Sequence, residues 1–130
     1  MVAVDTNVVV RLITGDDPKQ LKKATRLVES KGIWIGKTVT LETAWVLQHV
    51  YNADVATMID SLRQLSETDG VFFESEEFLD AIFELVDHGV EIADALHLAL
   101  SKDSLSTFHT FDKDFQRKAR QLGHDIELIS

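Results

Sequence analysis

Short apolar runs alternate along the chain with longer segments in which apolar residues recur every three or four positions. The short runs have the length and the branched or aromatic content of buried strands, and the longer segments have the period of amphipathic helices. This alternation is typical of parallel strands connected by crossover helices. It predicts a single α/β domain over residues 1–130, with a mainly parallel sheet of about five strands and helices on both faces.

Glycines mark most of the predicted boundaries between these elements. The predicted strands cover residues 2–4, 33–35, 71–73, 107–110 and 126–129. The predicted helices cover residues 7–14, a basic segment from Pro18, then 38–51, 55–65, 78–86 and 91–102, and a last helix between Asp112 and Gly123. Sheets of this kind bind ligands beyond the carboxyl ends of their strands, so chemistry is expected there.

Composition restricts the kind of site that this chain can build. Hydrophobic residues make up 45% and charged residues 27%, which are globular proportions. The chain has no cysteine, so a metal ion would be held by oxygen or histidine ligands. No apolar run is long enough for a membrane span or a secretory signal. We therefore expect a soluble, cytoplasmic protein without a membrane partner.

The net charge of −9 is unevenly distributed. Residues 39–94 contain thirteen acidic and one basic side chain, whereas residues 1–38 contain seven basic and four acidic ones. This balance argues against a protein that relies on nonspecific attraction to nucleic acid. The basic cluster Lys19, Lys22, Lys23 and Arg26 is explained equally well by phosphate contacts and by a solvated helix face.

Four acids do not have the pattern of a solvated surface. Asp5 and Asp112 directly follow predicted strands, while Glu42 and Asp94 lie in strongly apolar helices. Each one alone is compatible with a helix cap or with the helix dipole. Four carboxylates at one sheet edge, however, would raise one another's pKa unless a cation held them. Oxygen ligands select a hard ion, Mg²⁺ or Mn²⁺.

The segments around these acids resemble the PIN-domain ribonucleases, and most closely the VapC-like toxins of bacterial toxin–antitoxin pairs. The resemblance runs nearly end to end in order, spacing and length. It is carried by four segments: Val4-Asp5-Thr6-Asn7-Val8, residues 38–47 around Glu42, Ala93-Asp94-Ala95-Leu96, and Thr110-Phe111-Asp112-Lys113-Asp114-Phe115.

The resemblance implies a three-layer fold with an acidic pocket that binds one or two Mg²⁺ or Mn²⁺ ions and hydrolyses an RNA phosphodiester. Asp5 and Asp94 would be direct metal ligands, and Glu42 and Asp112 would complete the shell or orient a water. A cognate antitoxin and a second copy of the chain, in a homodimer, are the implied protein partners.

The resemblance also implies supporting roles for residues next to the acids. Thr6, Asn7 and Thr110 would donate hydrogen bonds around the acids, and Asp114 would be structural or supporting. His97 departs from the family pattern: it lies one turn after Asp94, where family members often have an apolar residue. Its position is compatible with donation to a ligand carboxylate and with a partly buried structural histidine that has a backbone or carboxylate partner. Within the segment around Glu42, helical period predicts that Trp45 packs against the core, and base stacking is the alternative interpretation.

Three other functions are compatible with the length and class of this chain. A PIN nuclease of RNA processing would act without an antitoxin, and an inactive PIN scaffold would have lost some of its acids, whereas all four are intact here. A receiver-like signalling module would need an acid pair directly after the first strand and an Asp after the third. Asp16 and Asp17 come too late, and no Asp follows residues 71–73 directly.

Overall fold

The computed structural model describes residues 1–102 and 107–129. Strands and helices alternate along them, and every strand pair is parallel. The strands are β1 (Val2–Ala3), β2 (Ile33–Ile35), β3 (Val71–Phe73), β4 (Phe108–Thr110) and β5 (Ile126–Leu128). The helices are α1 (Thr6–Thr14), α2 (Pro18–Lys31), α3 (Lys37–His49), α4 (Val55–Ser66), α5 (Glu76–Asp87), α6 (Ile92–Ser101) and α7 (Lys113–Gln121). The predicted α/β class and the predicted order of elements are confirmed.

The chain forms two compact units, Met1–Ser75 and Glu76–Ser130, called here the first and the second unit. The first contains a three-stranded sheet in the order β1-β2-β3, and the second contains the pair β4-β5. All five predicted strands are therefore present, but they form two sheets where one was expected. The strands have only two or three residues. Each strand pairs with the strand before or after it in the sequence, and one or two helices connect the two strands of a pair. The expectation of a single domain over residues 1–130 stays a prediction.

In the first unit, β2 is the central strand and supplies the middle of the core. Ile33 and Ile35 are fully buried and pack with Val9 of α1, Val28 of α2 and Leu65 of α4. Because side chains alternate along a strand, Trp34 between the two isoleucines lies on the opposite face of the sheet. The apolar stripes of three helices thus cover one face of this sheet.

In the second unit, three helices pack around the pair β4-β5. The buried cluster takes Leu85 from α5, Leu98 from α6, Phe115 from α7 and Ile126 from β5. Phe115 also makes an edge-to-face contact with Phe108 of β4, with ring centroids 5.7 Å apart. The contact ties the start of α7 to the strand before it. No helix in residues 1–102 and 107–129 is long and apolar enough to cross a membrane.

Candidate functional site

Asp5 lies just beyond the end of β1, at the carboxyl edge of the first sheet. The backbone N–H of Val4 donates to the carbonyl of Trp34 at 3.3 Å, which continues the pairing with β2 up to this point. Asp5 is exposed and caps α1, because its Oδ1 accepts from the N–H of Val8 at 3.2 Å. Within the described residues its Oδ2 has no hydrogen-bond partner. The predicted neighbours follow in the first turn of α1, with Thr6 buried and Asn7 exposed.

Glu42 lies in the second turn of α3, which begins directly after β2. Its side chain is exposed, although it lies in a helix that the sequence shows to be strongly apolar. The start of α3 has no side-chain cap of its own because Gly36 is the N-cap. Glu74, just after β3, supplies one: its Oε1 accepts from the N–H of Lys37 at 2.9 Å. Glu74 was not among the predicted site residues, although it directly follows a predicted strand, which is the signal that marked Asp5 and Asp112.

Asp94 and Asp112 are the two predicted site acids that lie together in the second unit. The pKa of Asp94 is raised above its ordinary value, first by burial, then by the charge of Glu91 and then by the charge of Asp112. His97, one turn further along α6 and exposed, acts in the opposite direction and lowers this pKa. His97 therefore interacts with Asp94 electrostatically. Its effect on the pKa of Asp94 is smaller than the combined effect of burial, Glu91 and Asp112, so the net shift is upward.

Glu91 is an acid of this cluster that acts on Asp94 and was not among the predicted site residues. It is the N-cap of α6, and its Oε2 accepts from the N–H groups of Ala93 at 3.0 Å and Asp94 at 3.2 Å. Because it holds the first turn of α6, it also brings its negative charge close to Asp94. The signal in the sequence was an acid three residues before Asp94, which is the spacing of one helical turn.

Asp112 caps α7, with its Oδ1 accepting from the N–H of Phe115 at 3.0 Å. Its own N–H donates to Oγ1 of Thr110 at 3.1 Å, so Thr110 orients the backbone of Asp112. Asp114 has a different environment: it pairs with Arg117 and with Lys118, the latter at 2.8 Å. Hydrogen bonds from Lys118 and Arg117 lower the pKa of Asp114. These contacts favour the structural role for Asp114.

One cavity of the second unit contains none of the predicted site acids. It has a volume of about 490 Å³ and is lined by residues that include Glu77, Glu84, Lys102 and His124. Lys102 follows the last residue of α6, whereas Asp94 lies in its first turn. Ten helical residues span about 15 Å, so the cavity and Asp94 are at opposite ends of this helix. The acids, and not the cavity, mark the candidate site.

A model of the PIN domain family matches residues 2–121. The chain belongs to the PIN domain family. The match includes residues of both units and all four predicted acids, so the family resemblance and the PIN-like fold expected from the sequence are confirmed. Membership supports the coarser functional expectation, a nuclease.

Two solved structures of toxin proteins are similar to this PIN domain. VapC20 of Mycobacterium tuberculosis, described as a toxin that cleaves the sarcin-ricin loop, is 22% identical, with 95% of this chain and 96% of that chain covered and a TM-score of 0.41. VapBC2 from Rickettsia felis, solved with a DNA fragment from its promoter, is 18% identical, with 100% of both chains covered and a TM-score of 0.40. No curated protein matches the chain.

The donor set of the PIN domain fits a hard divalent cation in its chemistry. Among the described residues, none of the four acids Asp5, Glu42, Asp94 and Asp112 has a lysine or arginine partner. Two of them belong to each unit. No group of three or more acids or histidines in the described parts of the chain is arranged to hold a metal ion. A pocket that combines all four acids stays a prediction.

Trp45 does not pack against the core, so its expected position was wrong. Its side chain is 57% exposed, and its ring lies 4.9 Å from that of His49 one turn away. The buried face of α3 consists instead of Thr40, Thr43, Ala44 and Leu47. Two threonines on the buried face made the apolar face difficult to recognise from the sequence, because hydrophobicity alone defines the helical pattern.

Proposed function

We propose that this PIN domain is a Mg²⁺- or Mn²⁺-dependent endoribonuclease and the toxin of a VapBC-type toxin–antitoxin pair. One observation carries the nuclease proposal: Asp94 and Asp112 lie close enough in the second unit for the charge of Asp112 to raise the pKa of Asp94, and neither has a lysine or arginine partner among the described residues. Like charges so placed oppose ionisation unless a cation compensates them. A divalent cation would supply this compensation.

Asp5 and Asp94 would hold the ion directly, with Asp112 and Glu42 completing the set. A bound divalent ion polarises a phosphodiester and lowers the pKa of a water molecule so that it becomes a nucleophile. Asp5 and Asp112 each use one carboxylate oxygen as a helix cap, which fixes the carboxylate and leaves the second oxygen available. His97 favours the ionised form of Asp94, which is the form that binds a cation.

The toxin part of the proposal is supported by the motifs that resemble VapC-like toxins. The toxin proposal includes an RNA substrate, an antitoxin as a protein partner and a homodimer as the oligomeric state. An antitoxin would neutralise the enzyme by placing a basic side chain among the acids, since these carboxylates have no such partner within the chain that the structure describes. A sarcin-ricin hairpin, the target named for VapC20, is a suitable first substrate for a test.

The test is cleavage of defined RNA hairpins by the purified full chain with Mg²⁺ or Mn²⁺, beside EDTA. We expect chelator-sensitive cleavage that falls by about 100-fold or more in Asp5→Asn and in Asp94→Asn. Asparagine caps helices as well as aspartate does, so Asp5→Asn retains the start of α1. Asp114→Asn is the matched control and should cleave normally. Cleavage that survives EDTA, or that survives both substitutions, would contradict the proposal.

A further inference from the structure

The cleft between α1 and α2 contains the features of a phosphate site next to Asp5. Resting on the proposed ribonuclease function, we infer that Arg11 and Lys23 hold a phosphate of the RNA strand in this cleft. The cleft lies entirely within the first unit and has a volume of about 370 Å³. Asp5, Arg11, Gln20 and Lys23 all line it. It thus places two cationic side chains and a proposed metal ligand around one space.

Arg11 is held in a fixed orientation. Its Nε donates to Oε1 of Gln20 at 2.7 Å, and its Nη1 donates to Oδ1 of Asp16 and to the hydroxyl of Tyr51, both at 3.2 Å. Among the described residues, Nη2 has no acceptor, so two of the five N–H groups of the guanidinium remain available. A guanidinium whose orientation is already fixed loses little freedom when it binds a phosphate.

The surroundings of Arg11 favour a phosphate over a purely structural role. Its side chain is only 25% exposed, and the cleft has an apolar wall, so an ionic contact there is less screened than one on the open surface. The wall consists of Val8, Ala24 and Leu27. Asp16 already compensates part of the charge of Arg11, so the second cation, Lys23, is needed to make the cleft attractive to an anion.

Lys23 is the residue that distinguishes a specific phosphate site from the general positive charge of α2. It is exposed and makes no ion pair in the described part of the chain. Its neighbour Lys22 has the same charge and is also exposed, but it lines a different groove of α2, with Gly15 and Pro18. The basic residues of α2 therefore divide between two faces, and only Lys23 among the α2 lysines shares a cleft with Asp5.

The experiment compares Lys23→Gln with Lys22→Gln, because the two changes remove the same charge from adjacent residues of one helix. The binding of a fluorescein-labelled single-stranded RNA is measured by anisotropy in EDTA, over a series of salt concentrations. We expect Lys23→Gln to weaken binding by about five- to tenfold and to reduce the salt dependence by about 0.7, the value for one phosphate on a single strand. Lys22→Gln should remain within about twofold of the wild type.

Arg11→Lys adds a test of the guanidinium, because it keeps the charge and removes the fork that fits a phosphate. It should also weaken RNA binding, while circular dichroism shows that the variant remains folded. If Lys22→Gln and Lys23→Gln weaken binding equally, the effect is general surface charge and the site is overturned. Unchanged binding in Lys23→Gln would overturn it as well.

Two further arms separate this inference from its alternatives. A labelled polyglutamate peptide replaces the RNA in one arm. If Lys23→Gln weakens the binding of the peptide but not of the RNA, the cleft belongs to an acidic protein partner and the inference is wrong. In the other arm, cleavage is assayed with Mg²⁺. Normal cleavage with no difference between the two lysine variants refutes the cleft alone, whereas a wild type that neither binds nor cleaves RNA refutes the proposed function too.

Discussion

Asp16 in the first unit and Asp94 in the second are both aspartates near the end of a helix, yet their pKa values are shifted in opposite directions. Asp16 accepts hydrogen bonds from Tyr51 at 2.6 Å and from Thr14 at 2.9 Å, and it pairs with Arg11. These contacts, with Tyr51 the strongest, lower its pKa. Around Asp94, burial and the charges of Glu91 and Asp112 raise the pKa.

The difference shows what each group of residues contributes. Ionised Asp16 is stabilised by the fold, and in return it links the end of α1 to Tyr51, so its charge supports the structure. Ionised Asp94 is opposed by burial and by two neighbouring acids, and His97 compensates this only in part, so a cation from outside the chain would complete the compensation. An acid that the fold opposes is a candidate functional group, whereas an acid that the fold satisfies is a structural one.

The largest effect is expected where the two kinds of acid lie two residues apart, at Asp112 and Asp114. Asp112→Asn should reduce RNA cleavage by about 100-fold, because it removes a carboxylate that no cation of the described chain compensates. Asp114→Asn should change cleavage by less than about threefold, because Asp114 pairs with Arg117 and Lys118. Initial rates with one RNA hairpin at saturating Mg²⁺ provide the measurement.

A loss of cleavage in Asp112→Asn would not result from unfolding of α7, because asparagine at this position also accepts a hydrogen bond from the N–H of Phe115. Far-ultraviolet circular dichroism of both variants checks that α7 is intact. Equal losses of cleavage in the two variants would show that the start of α7 matters as a structure and that Asp112 has no separate role.

The next effect concerns the binding of ions to the folded chain. Millimolar Mn²⁺ or Mg²⁺ should raise the melting temperature of the wild type, because a ligand that binds only the folded state stabilises it by about 2.7 kcal/mol at 100 times its Kd. For a chain of this size, that corresponds to roughly 5 to 10 °C. Asp94→Asn should lose most of this shift. Differential scanning fluorimetry with and without the ion measures it.

Asp16→Asn is the matched control for ion binding, since it removes an aspartate that the fold has already satisfied. This variant should start from a lower melting temperature and keep the full ion-dependent shift. An equal shift in Asp94→Asn and in the wild type would mean that the ion binds elsewhere and that Asp94 is not a ligand.

The elements and several caps of this fold could be predicted because they depend on local chemistry. Short branched runs gave the strands, and Asp112 before a basic amphipathic segment gave the start of α7. Trp45 could not be placed correctly, since the buried face of α3 contains two threonines and a pattern of hydrophobicity does not show which elements cover a helix. The division of five strands into two sheets is likewise a matter of long-range pairing, which strand propensity does not encode.

The candidate site was predictable at the level of residue type and less so at the level of interaction. An acid after a strand or in an apolar helix can be recognised in the sequence, and Asp94 and Asp112 were found in this way. Glu74 follows a predicted strand and Glu91 precedes Asp94 by one helical turn, so both had a signal in the sequence, but their cap contacts with backbone N–H groups are visible only in the structure. The orientation of Arg11 depends on Tyr51, forty residues away, and no local pattern reveals that contact.

The smallest expected effect is on the stability of metal-free protein at neutral pH. It tests whether the charges of Asp94 and Asp16 have opposite effects on the melting temperature. Asp94→Asn should raise the melting temperature by about 2 °C, because it removes a charge that the surroundings oppose. Asp16→Asn should lower the melting temperature, because Tyr51 and Arg11 lose the charged acceptor between them. Thermal melts in EDTA, followed by circular dichroism, measure both.

The pH dependence of these two differences should run in opposite directions. The pKa of Asp94 in the folded state lies above the ordinary 3.8, so its wild-type cost is absent below pH 3.8 and develops as the pH rises through the folded pKa. The pKa of Asp16 lies below 3.8, so its contribution is present above that pH and is lost as the pH falls through the folded pKa. Melts of the three proteins between pH 3 and pH 7 should therefore give an Asp94→Asn advantage that grows with pH and an Asp16→Asn deficit that shrinks toward acid. If Asp94→Asn is the less stable protein across the whole range, its carboxylate is satisfied within the fold, and the distinction between the two aspartates is lost.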